Sequence, residues 1–389
     1  MKTGFDQRYS LVEPFRKSDG KVMVCALENK NTSEVVFDPF DSDGKDGNDH
    51  LRMMISAEAW TFPNDFTKLI DKDSNYVHPI EADIPALIKE ISDEIESIIR
   101  ENLYFVNERD YGLLATYILC TYFCEYFQYM PRLILVGTTN SGKNRLQKII
   151  KALSYRGKMI SNSSFSSAFR YADAFAPTLI MDETQDMSKD VRRDMMVMFK
   201  TGFEKDGTFT RVHPESLIPL TFKVYCPIAL SVKTMNIEED IRNRSFVINM
   251  IEAPRGRRLN KNFDPESERI QKARDQLYRI MFAVEQRRIY YLNNKGNSRF
   301  DLKEFISRCY EWLAAKDEFN NIPYPEESRI DDHYPELINR QFDIAKTMFP
   351  FTYFNGHTDD LFQELIETDE NNKEVLRCTN SSSVINAWA

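Results

Sequence analysis

Cysteine pairs at metal-ligand spacing are missing from this chain, and Cys120 and Cys124, one helical turn apart in an apolar run, read as core thiols. Its six thiols, at positions 25, 120, 124, 226, 309 and 378 of 389 residues, contain no C-x-x-C. That scatter speaks against a structural zinc site or a disulfide framework and predicts thiols kept reduced, as in the cytoplasm. Excess positive charge is also missing: 51 Lys and Arg stand against 60 Asp and Glu, a net charge of −9. A generally basic, DNA-coating protein is thereby excluded, and any nucleic-acid contact is confined to local basic patches. No apolar run approaches the ~20 residues of a membrane span. The most apolar window, Gly112 to Cys124, soon meets Glu125 and Gln128 and predicts a buried helix with no membrane partner. The opening MKTGFDQRYS lacks the apolar core of a signal peptide. The acidic stretch DPFDSDGKDGND lacks the spacing and closing Glu of a calcium loop, so it reads as a solvated linker. No internal repeat and no nuclease-type carboxylate cluster stand out.

What is present centres on Arg132 to Asn144, RLILVGTTNSGKN. Four apolar residues run into Gly137-Thr138-Thr139-Asn140-Ser141-Gly142-Lys143, and a helical pattern, RLQKIIKAL, follows. Strand, glycine-bounded loop and helix in that order fit G-x-x-x-x-G-K, the Walker A pattern. Glycines let successive backbone N–H groups curl round a phosphate, the helix N-terminus adds partial positive charge, and Lys143 supplies an ammonium. The next position is usually Ser or Thr, whose hydroxyl ligates magnesium; here it is Asn144. Some 40 residues on, Thr178-Leu-Ile-Met-Asp182-Glu183 is an apolar strand ending in two carboxylates. It fits a Walker B strand, with Asp182 holding magnesium and Glu183 polarising the attacking water. DETQ superficially resembles the DEAD-box helicases, but none of that group's other motifs is found.

With 42% hydrophobic residues and 12% aromatics, the chain has material for two or three packed domains. Residues 1–78 read as a small N-terminal module with β-like groups at Val22 to Leu27 and Val35 to Phe37. Residues 79–130 form a helical brace: Ile84, Leu87, Ile88, Ile91, Ile95 and Ile98 recur at helical spacing, and a second helix spans Tyr111 to Tyr129 before Pro131 stops it. Residues 131–253 form the α/β core. Within it, Met187 to Gly202 is a helix, and two strand-like runs flank His213 to Ser216 as a hairpin, the second continuing as a core strand to Ser231. A further strand, Ser245 to Ile251, follows. Residues 254–355 open with the basic PRGRRLNK and are then helical over Ile270–Tyr291, Lys303–Lys316 and Pro335–Met348. Residues 356–389 read as an acidic, flexible tail.

The order GTTNSGKN, TLIMDE, a strand ending at Ser231, then DIRNRSFVINM resembles the AAA+-type ATPases. It looks most like the superfamily 3-like helicase ATPases of phages, viruses and plasmids, a group of primase–helicase type. The resemblance covers residues 80 to 255 well and 256 to 350 loosely. It implies a P-loop NTPase (ASCE/AAA+-like) fold, a parallel sheet flanked by N- and C-terminal helical regions, in the cytoplasm, or the host cytoplasm if viral. It implies that Gly137, Gly142, Lys143 and the residues between bind ATP, that Asp182 and Asn144 hold Mg2+, and that Glu183 is the catalytic base. Ser231 stands at the polar sensor position near the γ-phosphate, with an ordinary strand-end serine as the alternative. Arg244 matches the finger that reaches a neighbour's nucleotide; Arg242, or a surface salt bridge to Glu238 or Asp240, is the other reading. A finger supplied in trans implies a homo-oligomer, expected as a hexameric ring. The hairpin is where such ATPases grip single-stranded DNA, with Lys205, Arg211, His213 and Lys223 as phosphate contacts; a solvated hairpin is the plain alternative. Asn144 leaves open a second class, a nucleotide-dependent assembly switch with little turnover, and a DNA-packaging or transposition-helper ATPase is a third.

Overall fold

In the computed structural model the described residues are 9–17, 22–28, 35–37, 60, 62–64, 84–160, 165–182, 188–212, 218–233, 238–260, 262–294, 339–361, 363–365 and 367. Three antiparallel strands open the chain: β1 (Tyr9–Arg16), β2 (Val22–Glu28) and β3 (Val35–Phe37). Helices α1 (Ile84–Asn102) and α2 (Arg109–Tyr122) follow. Each isoleucine of the α1 periodicity is buried, and Leu87 packs at the edge of the same cluster. Helix α2 is buried along its full length from Asp110. It ends seven residues before the expected stop at Tyr129. A 3-10 turn at Cys124–Tyr126 breaks it, and the Met130 N–H bonds the Phe203 carbonyl, 2.8 Å away, as the chain straightens into the sheet.

The core then alternates strand and helix: β4 (Arg132–Gly137), α3 (Lys143–Leu153), β5 (Lys158–Ile160), α4 (Phe165–Phe175), β6 (Leu179–Asp182) and α5 (Lys189–Thr201). A two-stranded hairpin, β7 (Thr208–Val212) and β8 (Pro219–Lys223), precedes β9 (Ile228–Val232), the short α6 (Glu239–Arg242) and β10 (Ser245–Met250). Five strands form a parallel sheet in the order β10-β4-β9-β6-β5. The strands read as near-continuous apolar runs because both faces are covered. Leu133, Leu135 and Ile248 face one buried cluster, while Ile134, Val247 and Leu230 face the other. This α/β layer with flanking helices is compatible with the P-loop-type core that the motifs imply.

One expected strand divides. The second run of the hairpin does not continue unbroken to Ser231: β8 belongs to the hairpin and β9 to the core sheet. Pro227, with no N–H to give a ladder, lies in the break.

Helices α7 (Glu268–Asn294) and α8 (Asn339–Asn355) pack back on α1 and α2; the expected helix at 303–316 lies outside the described residues. Asn355 Nδ2 donates to Ser92 Oγ of α1 and Thr116 Oγ1 of α2, both at 2.8 Å. After Gly356 (φ 85°) the chain does not become a free tail at once. Leu361 and Leu365 are buried, Arg109 pairs with Glu364 and Glu367, and His357 bridges Glu96 and Asp360. Apolar residues at 361 and 365 provide the anchor that the acidic composition masks. Residues beyond 367 lie outside the described ones.

A buried polar clamp joins the first sheet to the core. Glu13 of β1 is inaccessible to solvent and accepts from the Tyr155 hydroxyl at 2.5 Å and from Arg156 Nε at 3.2 Å. Arg156 also donates to the Phe175 carbonyl at 2.7 Å and lies over the Trp60 ring.

Candidate functional site

The glycine-bounded turn joins the carboxyl end of β4 to the first residue of α3. Its glycines are required by space and by backbone. A Cβ on Gly137 would fall 2.6 Å from both the Met250 carbonyl and Ser141 Oγ. Gly142 has φ 91°, in the left-handed region, and Asn140 tolerates φ 66° as asparagine can. Thr138, Thr139 and Asn140 are exposed, whereas the Ser141 hydroxyl is buried with no hydrogen-bond partner. Asn144 is exposed on the first turn of α3.

Lys143 folds inward, its ammonium donating to the carbonyls of Gly137 and, at 2.9 Å, Val232. Burial pulls its pKa down and the nearby charge of Lys233 adds to this, while Asp182 opposes. Asp182 ends β6 and is register partner of Ser231 in β9, which in turn pairs Leu135 of β4. The acid strand is thus one strand removed from β4, with β9 and Ser231 between them. Ser231 Oγ is fully buried and has no hydrogen-bond partner.

The turn from Thr138 to Asn144 and Asp182 open on one cavity of about 790 Å³. Its remaining wall comes from residues with no motif of their own. Leu103 and Tyr104 follow α1, Ile251 to Ala253 and Leu259 belong to the strap after β10, and Lys233 follows β9. Arg145 Nη1 ties the strap to α1, donating to the carbonyls of Asn102 at 3.1 Å and Asn260 at 2.6 Å. Clefts at the carboxyl ends of parallel strands are the usual ligand sites of such sheets. The donor set (two ammonium groups, unused hydroxyls and the start of α3) suits an anion with several oxygens. Among the described residues no group of three His, Cys, Asp or Glu side chains converges to cage a metal. Magnesium does not need such a cage; one or two protein oxygens beside phosphate oxygens suffice.

The remaining expected site residues lie elsewhere. Glu183 and His213 are outside the described residues. Arg244 sits after α6 and pairs with the Asp240 carboxylate. Arg242 Nε is buried without a hydrogen-bond partner. Around the hairpin, Lys205 donates to the Glu125 carbonyl, Arg211 pairs with Asp194 at 3.0 Å, and Lys223 is exposed. The hairpin's outer end is apolar, with Val212, Ile218 and Leu220 exposed, while its base is fixed by Phe209 stacked on Phe169 at 4.2 Å.

No family model matches the chain, and no curated protein matches it. Among solved structures, the A-form apo structure of the NrS-1 C-terminal region aligns over 78% of this chain and 77% of its own, with 14% identity and a TM-score of 0.32. A second apo structure of that region aligns over 89% and 87%, with 12% identity and the same TM-score of 0.32. Neither alignment assigns a role to any residue here. Among the described residues no helix is long and apolar enough to cross a membrane.

Proposed function

We propose that the chain is an ATPase that assembles into a ring and acts as a motor on DNA, a helicase-like engine of the superfamily 3 type. The observation that carries this reading is one cavity shared by the Thr138–Asn144 turn, Lys143 and Asp182 at the carboxyl ends of parallel strands. ATP with magnesium suits the residues present: Ser141, on the cavity wall, holds an unused buried hydroxyl, and Lys143 rests on carbonyls that an anion can replace. Asp182 and Asn144 would hold the ion, which when bound supplies charge neutralisation at the phosphates. Lys143 and the turn's N–H groups orient the phosphate chain, Ser231 donates beside the reacting end, and Glu183 takes the proton of the attacking water. Arg244 would complete the site of an adjacent subunit, which requires it to leave Asp240. DNA would run along the hairpin. With Lys205 and Arg211 already engaged within the chain, its exposed apolar end and Lys223 are, among the described residues, the groups left to meet a strand.

The test is ATP hydrolysis by the purified chain with and without single-stranded DNA, beside Lys143→Ala. Stimulation by DNA and loss in the variant are expected; equal hydrolysis in both conditions sinks the motor. A second reading, an assembly switch that binds ATP without consuming it, is favoured by one feature, Asn144 in place of a hydroxyl residue. Light scattering that rises with ATP while no phosphate is released would select it.

A further inference from the structure

The strap beside the cavity carries charge that the nucleotide reading leaves unused. From Pro254 to Asn260 it holds three arginines, Arg255, Arg257 and Arg258, and no acid, in a chain of net charge −9. All three are exposed, and among the described residues none forms an ion pair, not even with the nearby Glu252. Arg257 lies over the Tyr104 ring, 5.8 Å from its centre, and Tyr104 lines the cavity. The strap is held firmly. The Arg257 N–H bonds the Pro254 carbonyl at 3.1 Å across a turn whose third residue, Gly256, has φ 94°. Farther on, the Asn260 N–H bonds the Glu101 carbonyl at 2.8 Å, and Arg145 holds the Asn260 carbonyl. Ala253 and Leu259, on either side of the arginines in the chain, both line the cavity. Three positive charges are thus displayed at the cavity's edge on an ordered segment.

We propose, resting on the ring reading above, that this strap docks on the acidic α6 of a neighbouring copy of the chain, its arginines taking the Asp240 carboxylate from that copy's Arg244. Reach supplies the first reason. Arg244 pairs with Asp240 four residues earlier, so the two side chains lie together. Any placement that sends Arg244 into a neighbour's cavity carries Glu238, Glu239 and Asp240 to its rim, where the strap lies.

Sign supplies the second reason. Glu238 and Asp240 are exposed; Lys200 of the same chain serves both, and Arg244 serves Asp240. Arg242, also on α6, pairs with neither among the described residues. Departure of Arg244 takes from Asp240 its nearest cation, and the strap supplies the replacement. A guanidinium suits the exchange because its planar fork matches a carboxylate. One exposed bridge is worth little, but matched patches steer docking and like charges brought together repel strongly. Docking and release of the arginine thereby become one event. A nucleic-acid strand, the other polyanion such a patch could meet, is an outcome of the test.

Sedimentation velocity of the full chain with ATP and magnesium gives the concentration at which it assembles. The strap variant Arg255→Glu/Arg257→Glu/Arg258→Glu is compared with the helix variant Glu238→Arg/Asp240→Arg. Their combination in one chain and an equimolar mixture of the two are measured beside them. All five side chains are exposed, and melting temperatures verify that each variant folds. Each parent variant should need about tenfold more protein to assemble. The combination, with its charges exchanged, and the mixture, in which each strap meets an opposite helix, should return to within about threefold of wild type. If the helix variant does not fold, Glu238→Gln/Asp240→Asn replaces it, and its loss and that of the strap variant should be less than additive. A strap variant that assembles like wild type, a combination no better than its parents, or strict additivity overturns the pairing. So does a strap variant that assembles normally yet binds single-stranded DNA more weakly, which would give the strap to nucleic acid. These outcomes leave the ring reading standing. A wild type that stays monomeric with ATP removes the ring reading, and this pairing with it.

Discussion

Ser231 faces Asp182 across neighbouring parallel strands, and its hydroxyl is sealed from water with nothing to bond. A buried hydroxyl without a partner costs roughly 1–3 kcal/mol. Ser231→Ala should therefore raise the melting temperature of the nucleotide-free chain by a few degrees. The same change should cut ATP hydrolysis by about a hundredfold, the usual scale for losing one preorganised donor. A variant that melts lower and hydrolyses at the wild-type rate would mark Ser231 as an ordinary strand-end residue.

Arg244 and its partner Asp240 give a second test. If the pair merely caps α6, removing either side chain should have the same small effect, about 1 kcal/mol or less for so exposed a bridge. If Arg244 must leave Asp240 to serve a neighbouring subunit, the two variants diverge. Arg244→Ala should abolish hydrolysis without weakening ATP binding, whereas Asp240→Ala should keep or raise it. Steady-state hydrolysis and nucleotide affinity, measured at concentrations where the chain is assembled, distinguish the cases.

The Glu13–Arg156 clamp is a buried ion pair, and breaking one side leaves the other charge stranded. Burial raises the Glu13 carboxyl pKa, and contact with Arg156 opposes that rise. Glu13→Gln or Arg156→Met should each destabilise the chain by about 3–5 kcal/mol, with the double variant less damaged than the sum. Denaturant melts of the four proteins test this; strict additivity would mean that the two residues do not act as a pair.

The segment around His357 should respond to pH. The hydrogen bond to Glu96 raises the His357 pKa against its partial burial, helped by Asp360. A histidine held above its ordinary value near 6.5 stabilises the fold fully below that value, and the contribution vanishes as pH rises through the higher folded value. Asp110 slopes the same way. Burial, then the charge of Glu364, push its carboxyl up to about 7, so stability is lost as pH climbs from its ordinary range to neutrality. Glu96, held low by the His357 hydrogen bond, slopes the other way only in acid. Melting temperature should fall by several degrees between pH 6 and 9. Asp110→Asn and His357→Gln should each flatten that fall; an unchanged slope in both would remove these groups from the account.

Strands and helices of the core were legible because their apolar runs are nearly unbroken and their punctuation is strong. Gly137 and Gly142 bound the turn, and Ser188 caps α5, its hydroxyl accepting from the Val191 N–H. The six-residue turn and Asp182 were legible as chemistry, since their spacing has a physical reason. What escaped depends on contacts across long separations. Lys233 carries no local signal, and Leu103, Tyr104 and Leu259 join the cavity wall only once α1 and the strap are folded. The end of α2 was misplaced because the apolar pattern runs on through Phe127, although the 3-10 turn at Cys124–Tyr126 breaks the helix and Met130 then bonds Phe203. Packing of 357–365 was hidden by its acidic composition, whose charges are answered by Arg109 from far away in the chain.

Helix α2 is covered on one side by α8, whose Asn355 and Thr347 reach Thr116 and Cys120 more than two hundred positions earlier. During synthesis, then, this apolar rod leaves the ribosome long before its wrapping does. Nascent chains halted upstream of residue 339 should display that bare surface and invite chaperones or clumping, while release of α8 lets that surface be covered.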